Sequence, residues 1–142
     1  MLKGINYILV NDSTVATLVG DNAAGDTVKV YPVMATQEEK FPLVTTWEVS
    51  RIPEVCKGAR PSHFNYTYEV HVYAKDYDEA NAICDAITMA LEEADVDSPI
   101  NGVSFVDVIQ NTNRRDGGMI EEHKAYWKIL TFEAQVYEGQ AT

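Results

Sequence analysis

Residues 64–94 read FNYTYEVHVYAKDYDEANAICDAITMALEEA, a strand running into a helix across one polar break. Phe64, Tyr66, Tyr68, Val70, Val72 and Ala74 alternate with Asn65, Thr67, Glu69, His71, Tyr73 and Lys75. A period of two over that length predicts a strand with one buried face. Asp76, followed three residues later by Glu79, is a capping-box pattern in which acidic side chains satisfy free backbone donors. From there Ala80, Ile83, Cys84, Ile87, Ala90, Leu91 and Ala94 recur at three-and-four spacing, while Asp78, Glu79, Asn81, Asp85, Glu92 and Glu93 fall opposite. That stripe predicts a helix lying on a sheet.

Working back toward the start, Ile5, Ile8, Leu9, Val15, Leu18 and Val19 suit two short helical pieces broken by a cap at Asp12 or Ser13, with Gly20 as a left-handed stop. DNAAGD (residues 21–26) reads as a polar turn. Val28–Val33 reads as a short strand whose Pro32 favours an edge, followed by the loop ATQEEK. Leu43–Ile52 is a second strand. Leu43, Thr45, Trp47 and Val49 fall on one face and Val44, Thr46, Glu48 and Ser50 on the other, and one face is apolar enough to bury. PEVCKGARPS (residues 53–62) has the Pro, Gly and basic content of a loop. Toward the end, Val103–Gln110 reads as a strand, Asn111–Glu122 as a long hairpin connection with Gly117 and Gly118 at a flexible tip, and Ala125–Tyr137 as the closing strand.

This order has no βαβα rhythm and no internal repeat. It predicts an α+β fold: an antiparallel or mixed sheet of about four to five strands, with one long amphipathic helix and a short N-terminal helical segment packed on it. A chain of 142 residues that is 46% hydrophobic is expected to form a single domain over 1–142 with one core. No apolar run approaches the roughly 20 residues that cross a bilayer. The N-terminal MLKGINYILVNDST lacks a small-residue cleavage site, so neither membrane span nor secretory signal is expected.

The chemistry-bearing residues are scattered. His63, His71 and His123 lie in different segments without a ligand-spaced partner, which leaves zinc unsupported; His71 is expected to be a surface or interface histidine. Asp76, Asp78 and Glu79 match a helix start better than a cation site, and DNAAGD lacks the remaining ligands of a calcium loop. Cys84 falls on the helix's apolar stripe as a small hydrophobe, and no neighbour marks Cys56 as activated. Catalytic residues, metal and cofactor are therefore all expected to be none, and the chain is expected not to be an enzyme. With 22 acidic and 11 basic residues the net charge is -11, which disfavours sequence-specific DNA binding. The basic spots Lys57, Arg60, Arg114 and Arg115, with Tyr73 and Trp127 opposite the main apolar rows, are candidate interface residues.

The helical start, VKVYPV, FPLVTTWEVSRIP, YEVHVYAKDYDEANAICDAITMAL, INGVSF and the closing KILTFEAQVYE together resemble the bacteriophage tail-completion or tail-terminator family (minor tail protein U-like) over most of the chain. Its Pro-led strand ending in Glu48 and Arg51, before a strand that caps a helix, carries the resemblance. The basic loop Lys57–Ser62 and the connection Asn111–Glu122 depart from it. The resemblance implies a virion protein of the tail-neck region, assembled in the host cytoplasm. It implies a homo-oligomer, typically a hexameric ring, that caps the tail tube protein, ends tube growth and offers a surface to a head-completion or connector protein. Genomic DNA would pass through the lumen without sequence-specific binding. A different class, a small-ligand or regulatory binding module, would instead use the concave side of the sheet.

Overall fold

The computed structural model describes residues 2–21, 27–28, 30–32, 41–54, 63–121 and 124–138. Helix α1 (Leu2–Asn11) is followed at once by α2 (Ser13–Val19). The break between them is a cap: Asp12 Oδ1 accepts from the backbone N–H groups of Thr14 and Val15, both at 3.0 Å, which a helix start leaves without internal partners. Ile5, Leu9, Val15 and Val19 are buried, and Ile8 and Leu18 pack against the same core. α2 stops at Val19, directly before the glycine read from sequence as its stop, and Gly20 opens β1 (Gly20–Asp21), which pairs antiparallel with β2 (Thr27–Val28).

The main sheet is built from β3 (Val30–Pro32), β4 (Leu43–Pro53), β5 (His63–Ala74), β6 (Ser104–Phe105), β7 (Gln110–Ile120) and β8 (Ala125–Tyr137), with α3 (Tyr77–Glu92) between β5 and β6. The order is β3-β4-β5-β8-β6, and β7 also lies along β8. β3 runs parallel to β4 and every other pair is antiparallel, so the sheet is mixed. Pro32 ends the edge strand β3, where a missing N–H costs no ladder bond. Residues 22–26, 33–40, 55–62 and 122–123 lie outside the described residues, and with them most of DNAAGD, the ATQEEK loop, Cys56, Lys57, Arg60 and His123.

All three helices cover one face. Asp76 caps α3 through the Asp78 N–H at 3.0 Å. Ala80, Ile83, Cys84, Ile87, Ala90 and Leu91 are buried against Tyr66, Tyr68, Val70, Val72 and Ala74 of β5 and Leu130, Phe132, Ala134 and Val136 of β8. Each fully buried Ile or Leu removes enough apolar surface from water to contribute about 1.5–3 kcal/mol, so this layer holds the molecule together. The register Val44↔Val72 and Thr46↔Val70 turns Val44 and Thr46 toward the helices, where Thr46 Oγ1 donates to Asn6 Oδ1 of α1 at 2.7 Å. The row Leu43, Thr45 and Trp47, the more apolar by composition, therefore lies on the face without helices.

Two expectations are corrected. Asn111–Ile120, read as a loop with a glycine tip, is strand for its whole length. β8 presents a long edge of backbone donors and acceptors that need partners, and β7 supplies them from Gln110 to Ile120, so pairing overrides an uninformative side-chain pattern. Conversely, of Val103–Gln110 only Ser104 and Phe105 form the strand β6, and Gln110 already belongs to β7. Val106 N–H still reaches Gln135 O at 2.8 Å, after which Asp107 and Val108 leave the sheet exposed and the buried Ile109 returns it to β7.

Candidate functional site: the helix-free face of the sheet

Among the described residues no element covers the second face, yet its centre is not a simple solvated surface. The registers set Leu43, Thr45 and Trp47 of β4 opposite Tyr73, His71 and Glu69 of β5. These in turn stand opposite Trp127, Ile129 and Thr131 of β8, and Arg115 of β7 stands opposite Ile129. Leu43, Thr45 and Ile129 are buried among their neighbours, whereas Trp47 is 37% exposed.

His71 is the hub. Its ring lies 5.5 Å from Trp127, 6.0 Å from Trp47 and 6.5 Å from Tyr73 between centroids, and Tyr73 and Trp127 stack at 6.1 Å with an interplanar angle of 10°. Such offset pairs add to what area burial contributes. The polar tips are also committed: Trp127 Nε1 donates to His71 Nδ1 at 2.9 Å, and His71 Nε2 lies 3.0 Å from Glu69 Oε1. Arg115 Nη2 reaches Glu69 Oε2 at 3.5 Å, across the intervening β8. Trp47 Nε1 donates to Thr45 Oγ1 at 3.2 Å. Burial raises the Tyr73 hydroxyl above its ordinary range, with Thr45 pulling the other way.

At the far end of this face an open depression of about 410 Å³ lies between Ile52 and Val108, with Asn65, Thr67, Glu133 and Gln135 among its lining residues. Beside it, Gln135 Nε2 donates to Glu54 Oε2 at 2.7 Å.

Of the candidate interface residues, Tyr73, Trp127 and Arg115 come together on this face. Arg114 points to the other side, where it donates to Asp85 Oδ1 at 2.6 Å and to Asn81 Oδ1 at 3.1 Å on α3. Lys57 and Arg60 lie outside the described residues. Sequence reading passed over Trp47, Glu69 and Gly117 as partners in the cluster and took His71 for a surface or interface residue; its side chain is 12% exposed. The signal was present in the period of two, since Glu69, His71 and Tyr73 share one strand face.

Chemically the cluster can bind and orient but holds no nucleophile beside a base, because both ring nitrogens of His71 face Trp127 and Glu69. Among the described residues no group of three or more His, Cys, Asp and Glu could hold a metal ion, and no helix is long and apolar enough to cross a membrane.

The fold is shared with a chain from the "Virion of native gene transfer agent (GTA) particle", at a TM-score of 0.72 and 18% identity over 94% of this chain and 91% of that one. No curated protein sequence matches. The family described as Tail completion protein gp17 matches residues 5–137, nearly the whole of the described chain. By that match the chain belongs to the tail completion protein gp17 family and is a structural protein of the phage tail.

Proposed function

We propose that this tail protein, a single domain over its 142 residues, assembles as a closed ring, hexameric in the family reading. The ring sits at the head-proximal end of the tail tube, ends tube growth and presents the surface that joins the head. Membership of the tail completion family carries the proposal, and the shared fold with a virion chain of a gene transfer agent supports it. Such a protein works without catalysis: it occupies one self-propagating interface and offers a different one. The half-buried aromatics Tyr73 and Trp127 and the half-exposed Arg115 are the kinds of residue that anchor protein interfaces. We assign them, with Lys57, Arg60 and Arg114, to contacts with neighbouring subunits, the tube protein or a head-completion protein. A net charge of -11 suits a conduit through which DNA passes without sequence-specific binding.

The test is the solution mass by light scattering at low and high protein concentration, with electron microscopy of the protein alone and mixed with tail tubes. Rings, or a monomer that forms rings only on tube ends and stops their growth, support the proposal. A monomer that leaves tube length unchanged overturns it.

A further inference from the structure

The hydrogen bonds around His71 fix which nitrogen carries its proton. An indole N–H only donates, so the 2.9 Å contact from Trp127 Nε1 makes His71 Nδ1 an acceptor with its lone pair free. The proton of the neutral ring therefore sits on Nε2 and is donated to Glu69 Oε1, 3.0 Å away. A second proton has one place to go, Nδ1, and that would set two N–H groups against each other at a separation that fits one hydrogen bond. His71 can thus take up a proton only by giving up Trp127.

Ionisable and neutral groups both face the ring. On β5, these are the Glu69 carboxylate and the Tyr73 phenol stacked beside it; on β7, Arg115 shares the Glu69 carboxylate. β4 contributes the neutral Thr45 and Trp47, and β8 the neutral Trp127 and Ile129. Trp127 is held by this bond, by Tyr73 and by the backbone at Gly117. Loss of the bond frees the polar edge of the indole and opens the face's centre.

We propose that His71 is a proton-operated latch on the helix-free face: neutral, it pins Trp127 into the aromatic cluster, and protonated, it releases the indole and remodels the surface that a partner would meet. This goes beyond the assembly reading and does not depend on it, because the latch lies within one subunit.

The experiment uses the full chain with Trp47→Phe, so that Trp127 is the single tryptophan and can be excited apart from the tyrosines, and the same protein carrying His71→Gln. A glutamine can accept from the indole and donate to Glu69 but does not ionise. Expected is a reversible shift of Trp127 emission to longer wavelength on acidification from pH 8, with unchanged far-UV circular dichroism, and a flat response in the His71→Gln protein. Equal shifts in both proteins, or none in either, overturn the proposal.

Should His71→Gln fail to fold, the wild type labelled with 15N in His and Trp decides. Nδ1 must report an acceptor at pH 8, and its protonation must coincide with faster exchange of the Trp127 indole proton. A ring protonated on Nδ1 at pH 8, or one that titrates with the indole proton still protected, overturns the latch.

Discussion

The Trp127 indole fills the space in which a side chain at residue 117 would stand: a Cβ added to Gly117 would lie 2.4 Å from Trp127 Cδ2 and 2.7 Å from Cε3. Glycine here is required by a neighbour on β8, not by a turn. The next residue, Gly118, has φ +106 and sits at a register shift between Asp116 and Gly118, a conformation that glycine adopts without strain. Gly117→Ala must displace the indole and is expected to destabilise the fold by about 1–3 kcal/mol, as overpacking does. In a Trp127→Ala background the same substitution should cost far less, because the clash is gone. Urea denaturation of the four proteins measures this coupling; additive effects would show that the indole does not rest on Gly117.

A second cluster ties the end of the chain to the sheet. Arg51 Nε donates to the Tyr66 hydroxyl at 2.9 Å, Tyr66 donates to Glu138, and Arg51 also pairs with Glu138. Arg51 lies 3.7 Å above the Phe64 ring centroid. Hydrogen bonding from Arg51 foremost holds the Glu138 carboxyl below the usual carboxylate range, against the effect of burial. Burial, and then the bond to Glu138, pushes the Tyr66 hydroxyl up to about 12. For Glu138 the unfolded chain takes up its proton first as pH falls, so its contribution is complete above ~4.3 and is lost on further acidification. For Tyr66 the sign is opposite: the unfolded chain loses its proton first, so stability is lost as pH rises from ~10 toward the folded value. Glu138→Gln is expected to flatten the acid limb of stability against pH. Tyr66→Phe should lower stability at neutral pH by about 1 kcal/mol and reduce the alkaline slope. Thermal melts from pH 3 to 11 check both, and an unchanged acid limb in Glu138→Gln would remove the Arg51 pairing from the account.

Where side-chain pattern and burial coincide, the fold is legible in the sequence. β5 and α3 were readable because Tyr66 to Ala74 alternate and Ala80 to Leu91 recur with helical spacing; a cap at Asp12 or Ser13 was readable from the polar run between two apolar groups, and the structure selects Asp12. β7 was not, because QNTNRRDGGMI is polar on both faces and forms a strand through the backbone needs of β8. Gly117 carried a usable signal, since glycine inside a strand marks a close approach, but its partner Trp127 can be named only once register is known. The same gap hid the Trp47–His71–Trp127 cluster, whose members come from three strands. For β4 composition does not decide, because both the Leu43–Trp47 row and the Val44–Thr46 row carry apolar residues, and only the pairing with β5 shows which row meets the helices.

Arg114 and Asp85 join β7 to α3, and both remain substantially solvated, at 34% and 71% side-chain exposure. Burial, the largest single effect, works against the Arg114 charge, but the Asp85 hydrogen bond and the electrostatic attraction of its surroundings together raise its proton affinity. A pair this exposed is expected to contribute about 0.2–1 kcal/mol and to weaken with added salt. A double-mutant cycle with Arg114→Met and Asp85→Asn, run in low and high salt, should give that coupling and its loss. A salt-independent coupling would mean that Arg114 acts through its packed stem instead of its charge.

Cys84 reports on whether α3 ever leaves the sheet. Its side chain is fully buried, and burial foremost pushes the thiol up to about 11. The reactive species is the thiolate, so at pH 8 the native site is protected twice, by lack of access and by the scarcity of that form. In a Cys56→Ser background, alkylation of Cys84 should be far slower than that of the unfolded chain and should proceed through opening of the α3–sheet layer. Ile87→Ala, which removes packing worth about 2–5 kcal/mol from the same stripe, is therefore expected to accelerate labelling by the factor that its stability loss implies, about tenfold for each 1.4 kcal/mol when opening is in rapid equilibrium. Labelling that is fast in the folded Cys56→Ser protein, or that ignores Ile87→Ala, would show that Cys84 is reached by a local path and that α3 does not shield it.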